Sequence, residues 1–504
     1  MRTSRGTRPE DDTGAFARKT LLATLVRNRE RAADRPAVRF ATPAGWRTTT
    51  WAELADATGA VAARANTLPA AEPVVVVVDG SAASVAAVLG LAVSGVDIAL
   101  VEEGNSYLAD RDSPFHRLGA SLVVRPAGWI PPPDGSFTTM TYDELAVAAG
   151  PVTAAASEAR PDGEVLQATS GSTGEPRLAR QPLRNVLRGG ATYREVFALG
   201  PTDSVLVTVP LAHSFGLIGG LIAALVSGAC VWTMPRFNVR RILEGLTAKA
   251  TVLLATPLGY RLLAPALPVP GGALRIALSS GGPLAAELAG EAESLLGCPV
   301  RQVYGSTETG LIACHPAWAT RWPADSVGTA APGVELRARD GRLLVRTPTL
   351  FRGYAGARAE AGTEEGFYDT GDLGRIDGDG HLFLAGRKNT FINVGGRKVN
   401  PQRIARILGE CPGVVDVFVY GAAGDAREQR VHAAVVVTPG TREDDVIAFC
   451  RARRLMPYEV PHRLHVLDRL PRNAMGKVDR RALLARTGDG DAGLEQSEES
   501  EEST

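Results

Sequence analysis

From about residue 70 the chain alternates short β-rich runs with alanine-rich helical stretches. Val74–Val78 is an unbroken valine run followed by SAASVAAVLGLAVSG. Further strands are predicted at Val205–Val209, Val252–Leu254, Leu274–Leu278 and Val300–Val303, with helical patterns between several of them. Continuous apolar strands spaced by helices predict a mostly parallel sheet covered on both faces, with ligands bound beyond the strand C-termini. The texture changes after about residue 385. A helix at Pro401–Leu408, strands at Val414–Tyr420 and Val431–Val437, a helix at Arg442–Arg454 and a strand at Leu464–Leu467 predict a compact α+β unit. The expected fold class is therefore α/β: a large N-terminal domain built on mostly parallel sheets covered by helices, plus a small α+β C-terminal domain. The expected boundaries are 19–388 for the large domain and 389–486 for the small one, with 1–18 and the acidic 487–504 disordered. The Gly- and Asp-rich stretch TGDLGRIDGDGHLFLAGRKN marks the junction.

Phe215–Met234 carries no charge and meets the length criterion for a membrane span. Its glycines at 216, 219, 220 and 228, and the prolines at 210 and 235 on either side, favour a buried core element instead. The short apolar patch Leu21–Val26 is interrupted at once by RNRER, so no signal-peptide pattern is read there. With 55 Lys plus Arg against 55 Asp plus Glu, the chain has no general attraction for nucleic acid or an anionic membrane. The five cysteines are scattered, without zinc spacing, and read as reduced, mostly buried thiols. A soluble, cytoplasmic protein is expected, with no nucleic-acid partner and no membrane span.

Four polar loops carry candidate chemistry. Thr169-Ser170-Gly171-Ser172-Thr173-Gly174-Glu175-Pro176-Arg177 combines glycines, which let backbone N–H groups turn inward, with hydroxyl donors; together they suit a polyphosphate. It lacks the GK[ST] of a Walker loop. Tyr304-Gly305-Ser306-Thr307-Glu308-Thr309-Gly310 offers an aromatic face for a purine, a hydroxyl for a phosphate and a carboxylate for Mg²⁺. Tyr368-Asp369-Thr370-Gly371-Asp372, followed by Arg387, offers a carboxylate suited to a ribose diol. Asn473-Ala474-Met475-Gly476-Lys477 presents a lysine on a glycine loop. Each loop alone has a plain reading as a turn, a capped strand end or a solvated surface charge.

Together, TSGSTGEP, YGSTE, TGD followed by GR, INVGGRKVNP and PRNAMGKVDR resemble, in order and spacing, the superfamily of adenylate-forming enzymes. That superfamily includes acyl- and aryl-CoA ligases, stand-alone adenylation domains and luciferase, and the resemblance runs from about Ala33 to Leu484. It implies that a carboxylic acid attacks the α-phosphate of MgATP, giving an acyl-adenylate and pyrophosphate, and that a thiol then displaces AMP. By resemblance, Thr169, Ser170, Gly171, Ser172, Thr173 and Gly174 would wrap the β- and γ-phosphates. Tyr304 and Gly305 would border adenine near Gly281 and Gly282, Thr307 would contact the α-phosphate, and Glu308 would hold Mg²⁺. Asp372 and Arg387 would take the ribose hydroxyls. Lys477 would bridge the carboxylate and the α-phosphate in the first half-reaction. The small domain would be mobile, turning about Asn389 to exchange Lys477 for the INVGGRKV face, with a phosphopantetheine arm passing beside Gly396. Three positions depart from the family pattern: Arg177 where lysine is usual, Asn389 where Asp or Lys is usual at the hinge, and Asn393 where several relatives carry lysine.

Pro210-Leu211-Ala212-His213-Ser214-Phe215-Gly216 resembles the P-x-x-H stretch of acid ligases. The resemblance places His213, with Ser214, Gly305 and Ser306, around the acid. No acidic residue lies in 210–220, so an uncharged aliphatic or aromatic acid is favoured over an α-amino acid. The expected co-substrates are ATP with Mg²⁺, then CoA or the phosphopantetheine of a carrier protein. An adenylating ligase with an amine or other non-thiol acceptor would use the same ATP half-site. Two readings from other classes are a phosphotransferase, which would release ADP and need no distant lysine, and a silent homologue acting as a binding module. The latter would not need Thr173, Glu308, Asp372 and Lys477 together.

Overall fold

The computed structural model describes residues 16–68, 72–103, 108, 113–131, 137–146, 160–170, 176–267, 272–323, 325–356, 363–387, 392–394, 397–423, 429–452, 455–473 and 476–489. They divide into two compact units. The first contains Pro176–Glu335, Arg346–Gly366 and the chain up to Thr169; the second contains Leu336–Val345 and the chain from Phe367. The boundary expected at 388/389 falls on residues outside the described ones.

In the first unit the valine run Val74–Val78 is a strand buried along its whole length. Ile98–Glu102 and Leu122–Arg125 pair with it in parallel on either side. The sheet runs in the order Gly353–Tyr354, Pro176–Pro182, Glu164–Ser170, Ile98–Glu102, Val74–Val78, Leu122–Arg125, Thr138–Thr141. One covering helix, Ala82–Val93, packs on Trp51–Ala65 so closely that a Cβ at Gly90 would lie 2.5 Å from Val61. Thr50 and Glu53 close a reciprocal capping box at the start of the partner helix.

A second sheet of this unit runs through Gly310–Cys314, Val300–Ser306, Ile276–Ser279, Val252–Ala255, Ser204–Val207, Cys230–Thr233, Pro36–Thr42 and Gly45–Thr50. From Val300–Ser306 to Pro36–Thr42 every pairing is parallel, and both flanking hairpins are antiparallel. Asp203 ties the N-terminal ends of these strands together. It accepts from Arg275 at 2.8 Å and from Thr251 Oγ1 at 2.7 Å.

The uncharged run Phe215–Met234 is not one element. Wide π-type turns cover Phe215–Ile222, an α-helix continues over Ala223–Ser227, Gly228 ends it at φ 69°, and Cys230–Thr233 is a sheet strand. Its glycines mark close approach: a Cβ at Gly219 would meet the Tyr193 ring at 2.7 Å, and one at Gly220 would meet Val207 at 2.7 Å. Among the described residues, no helix is long and apolar enough to cross a membrane.

In the second unit, Tyr368–Ile376 pairs antiparallel with His381–Arg387 and with Arg342–Arg346. A separate sheet joins Val414–Ala423 antiparallel to Gln429–Val437, which pairs in parallel with Arg463–Val466. Residues alternate across this sheet as a pleat requires. Val431, Ala433 and Val435 pack with Ile404, Leu408, Val446 and Cys450 of the helices Pro401–Gly409 and Glu443–Ala452. Ala434 faces the other way, onto Leu483 and Leu484 of the helix Arg480–Thr487.

All five cysteines are buried and unbonded. Burial pushes the thiols of Cys230, Cys298 and Cys314 up to about 12, which keeps them protonated and unreactive.

Candidate active site

Two parallel strands of the first unit end side by side, Leu100 opposite Gln167. Glu102 is the charge that ends the otherwise apolar strand IALVE. Its Oε1 lies 2.7 Å from His213 Nε2, with side chains 16% and 24% exposed respectively. Gln167 is buried and bonds both neighbours of that histidine: its Nε2 donates to the Ala212 carbonyl at 2.8 Å, and its Oε1 accepts from Ser214 Oγ at 2.8 Å. Gly216 lets the following turn sit against the chain; a Cβ there would lie 2.3 Å from the Pro210 carbonyl oxygen. His213 and Ser214 are thus fixed by side chains arriving from another sheet.

Thr169 lies two residues beyond Gln167 and so shares its face of the strand. Its Oγ1 approaches the Arg177 carbonyl at 3.5 Å across to the next strand, closing the base of the candidate phosphate loop. The loop residues Gly171, Ser172, Thr173 and Gly174, and the side chain of Ser170, lie outside the described residues.

The strand expected to end at Val303 continues to Ser306 and turns back as a tight hairpin, Tyr304 opposite Ala313 and Ser306 opposite Gly310. Gly305 is needed there, because a Cβ would lie 2.2 Å from the Gly310 carbonyl oxygen. Ser306 Oγ and Thr309 Oγ1 are 3.0 Å apart, and Thr349 Oγ1 donates to the Thr309 carbonyl at 2.7 Å. These bonds hold Thr307 and Glu308 at the tip. Gln181, on the strand leaving the candidate phosphate loop, donates to the Thr307 carbonyl. Tyr354, at the sheet edge, donates its hydroxyl to Glu308 Oε1 at 2.8 Å, and the Arg177 guanidinium lies over the Tyr354 ring at 5.3 Å from its centroid. Beside this hairpin, Ser279 pairs with Gln302, so Gly281 and Gly282 follow the neighbouring strand end; Gly281 has φ 90°. The first unit therefore links the Tyr304–Glu308 hairpin to the strand leaving Thr169 through Gln181 and Tyr354, sets Gly281 and Gly282 on the neighbouring strand end, and fixes Ser214 and the backbone before His213 through Gln167.

A carboxylate steadied through one oxygen keeps lone pairs for a hard cation. Mg²⁺ is commonly held by one or two carboxylates completed by substrate phosphates. Glu308, steadied by Tyr354, which carries Arg177 over its ring, fits that donor set.

The second unit holds the remaining candidates. Asp372 and Arg387 are paired directly across two antiparallel strands. Thr370 Oγ1 accepts from the Asp372 N–H at 3.1 Å and donates to the Leu343 carbonyl at 2.9 Å, fixing the turn at Gly371 (φ 71°). The Arg387 and Asn393 side chains, Asn389 and Gly396 lie outside the described residues. Lys477 is exposed, at the end of a small closed loop. Its N–H donates to Asn473 Oδ1 at 3.0 Å, and its carbonyl accepts from the Asn473 N–H at 2.8 Å. Arg472 braces that loop, donating to the Gly476 carbonyl at 2.5 Å and to both Asp416 carboxylate oxygens at 2.7 and 2.6 Å.

The family model for AMP-binding enzymes matches residues 25–355, and that for the AMP-binding enzyme C-terminal domain matches 403–477. The chain belongs to the AMP-binding enzyme family. The structure of ATP-bound MatB from Rhodopseudomonas palustris is 27% identical with a TM-score of 0.78, covering 92% of this chain and 98% of that one. The O-succinylbenzoate coenzyme A synthetase MenE of Bacillus subtilis, in complex with ATP and magnesium ion, is 25% identical with a TM-score of 0.77 and covers 91% and 98%. Among curated relatives, "Probable CoA ligase CCL9" of Humulus lupulus is 30% identical over 349 residues, 62% of this chain and 64% of that protein. The match therefore spans less than two thirds of that relative's length. As an AMP-binding enzyme, the chain has the α/β architecture that its valine strands predict.

Reading the sequence alone misses Glu102, Gln167, Gln181, Tyr354 and the Asp416–Arg472 brace. Only Glu102 carries a signal, as a lone charge at the C-terminal end of a buried parallel strand. It also supplies an acid beside His213 that the linear window 210–220 does not contain, with its carboxylate committed to the imidazole.

Proposed function

We propose that this enzyme activates a carboxylic acid with MgATP and transfers the acyl group to a thiol, CoA or a carrier-protein phosphopantetheine. The observation that supports this best is the chain of contacts from Thr169 through Arg177 and Tyr354 to Glu308, which ties the candidate phosphate loop to the candidate metal carboxylate. An aryl or aliphatic acid is the favoured substrate class, bordered by His213, Ser214, Gly305 and Ser306.

In the first half-reaction a carboxylate oxygen attacks the α-phosphorus, the bond to the bridging oxygen breaks, and pyrophosphate leaves. Thr169 to Gly174 hold the β- and γ-phosphates, Tyr304 lies against adenine near Gly281 and Gly282, and Thr307 meets the α-phosphate. Asp372 and Arg387 take the ribose hydroxyls. Two anions must approach each other, so positive charge is required where negative charge builds up; Lys477 supplies it between the carboxylate and the α-phosphate. A preorganised donor of this kind is worth about 10²–10³ in rate. Bound at Glu308, Mg²⁺ would neutralise phosphate charge. In the second half-reaction the thiolate sulfur attacks the acyl carbon and AMP leaves.

The relatives fit this reading. The curated matches include proteins named 2-succinylbenzoate–CoA ligase and oxalate–CoA ligase. Acid-dependent exchange of labelled pyrophosphate into ATP, across aryl, medium-chain and amino acids with CoA in a parallel set, tests the proposal. Exchange with an aryl or aliphatic acid, and a thioester when CoA is present, is the expected result. ADP as the nucleotide product, or exchange confined to amino acids, would overturn it.

A further inference from the structure

In the second unit, three side chains from separate segments converge at a point that the adenylation chemistry does not use. His432 lies on the strand Gln429–Val437. His465 lies on its parallel neighbour, opposite Ala434. Because 432 and 434 are two residues apart, both histidines stand on the sheet face covered by the helix Arg480–Thr487. That helix ends at Gly488 with φ 72°, and the turn delivers Asp489 onto the pair. Asp489 Oδ2 lies 2.9 Å from His432 Nδ1, 2.9 Å from His465 Nε2 and 2.5 Å from the Tyr420 hydroxyl. The two imidazole nitrogens and the carboxylate oxygen all lie within 4.8 Å of one another, on side chains 8%, 13% and 6% exposed.

Hydrogen bonds to Asp489 Oδ2 account for Tyr420 and His432, but not for His465. His465 Nε2 is buried and close to the carboxylate, yet it is not aligned to make a hydrogen bond with it. A tetrahedral site with bonds of about 2.0–2.2 Å sets its ligand atoms roughly 3.4 Å apart, so the two carboxylate–imidazole distances of 2.9 Å would open by about half an ångström around an ion. Tyr420 already orients the carboxylate, as outer partners of metal ligands do.

We propose that His432 Nδ1, His465 Nε2 and Asp489 Oδ2 bind one divalent transition-metal ion of the zinc class. Two imidazoles and a carboxylate suit Zn²⁺ over Mg²⁺, whose preferred ligands are oxygens. The ion would clamp the end of the helix Arg480–Thr487 to the sheet. That helix starts directly after Asp479, two residues past Lys477, so the clamp would brace the segment that follows the lysine loop.

The test uses the full chain, stripped with a chelator and dialysed, with ZnCl₂ as the only added ligand. Calorimetric titration should give uptake of one equivalent with a rise in Tm, and Co²⁺ in place of zinc should give the visible bands of a four-coordinate nitrogen–oxygen site. Losing an outer partner of a metal site typically costs 10–100-fold in affinity, so Asp489→Asn and His465→Gln should each weaken uptake by at least about 100-fold. No uptake by the wild type at millimolar Zn²⁺ would overturn the assignment. So would uptake of unchanged affinity in both variants, which would place the metal elsewhere. If a variant fails to fold, the wild-type Co²⁺ spectrum still tests the ligand set, and bands of a six-coordinate or sulfur-ligated site would overturn the assignment.

Discussion

Replacing Tyr354 by Phe isolates a single atom. The ring stays, and with it the stack of Arg177 at 5.3 Å; only the hydroxyl that donates to Glu308 Oε1 at 2.8 Å is removed. A hydrogen bond to a charged group contributes about 1.5–3 kcal/mol. Groups that orient a metal ligand typically change metal affinity 10–100-fold, which corresponds to about 1.4–2.7 kcal/mol. The two ranges overlap, so the apparent Mg²⁺ requirement of Tyr354→Phe should rise about 10–100-fold. The assay is acid-dependent pyrophosphate exchange measured against free Mg²⁺ at fixed ATP. The rate of the variant should approach the wild-type value at high Mg²⁺, because only the posture of Glu308 has been loosened. An unchanged Mg²⁺ curve, or a loss that Mg²⁺ does not restore, would remove Tyr354 from the metal site and weaken the assignment of Glu308.

Lys477→Ala should abolish adenylate formation while largely sparing thioester formation from a supplied acyl-adenylate; an equal fall in both half-reactions would contradict the role given to Lys477. Arg472→Met releases the lysine loop from Asp416 and Gly476, and should slow adenylation about 10–100-fold through misplacement, again sparing the thioester step. Burial pushes the Asp203 carboxyl up, but the bonds from Arg275, Thr251 and the Gly200 N–H more than offset it and leave it below the usual carboxylate range. A depressed folded-state pKa stabilises the fold above the unfolded value, near pH 4, and that stability is lost as pH falls through the folded value. Asp203→Asn should therefore lower stability by about 1.5–3 kcal/mol at pH 7 and flatten the acid limb of the melting curve between pH 5 and 3. An acid limb as steep as that of the wild type would assign the pH dependence to other groups.

What could be read in the sequence depended on whether the signal was local. The valine strand is legible because five β-branched residues in a row have few alternatives to a doubly covered strand, and Val74–Val78 is the strand found. Asp372 and Arg387, chosen by motif, are cross-strand partners, brought opposite by a bulge that shifts the register by one between Leu373 and Gly374. The uncharged run Phe215–Met234 shows the limit of pattern. Hydrophobicity on all sides reports burial, but not that the chain breaks at Gly228 and resumes as a strand. The partners Glu102, Gln167, Gln181, Tyr354 and Asp416 escape for a different reason. Each meets its site across a sheet or from a distant segment, and no local spacing encodes such a meeting. The same holds for Asp489, which read as part of an acidic tail and instead closes on two histidines.

In the proposed reaction a carboxylate oxygen bonds to the α-phosphorus of ATP. Supplying an active acid labelled with ¹⁸O in its carboxylate, with ATP, Mg²⁺ and CoA, and analysing the products by mass spectrometry tests it directly. One ¹⁸O atom in AMP, none in pyrophosphate and a thioester keeping the other is the predicted result. Label appearing in inorganic phosphate together with ADP would show attack at the γ-phosphate and contradict the account.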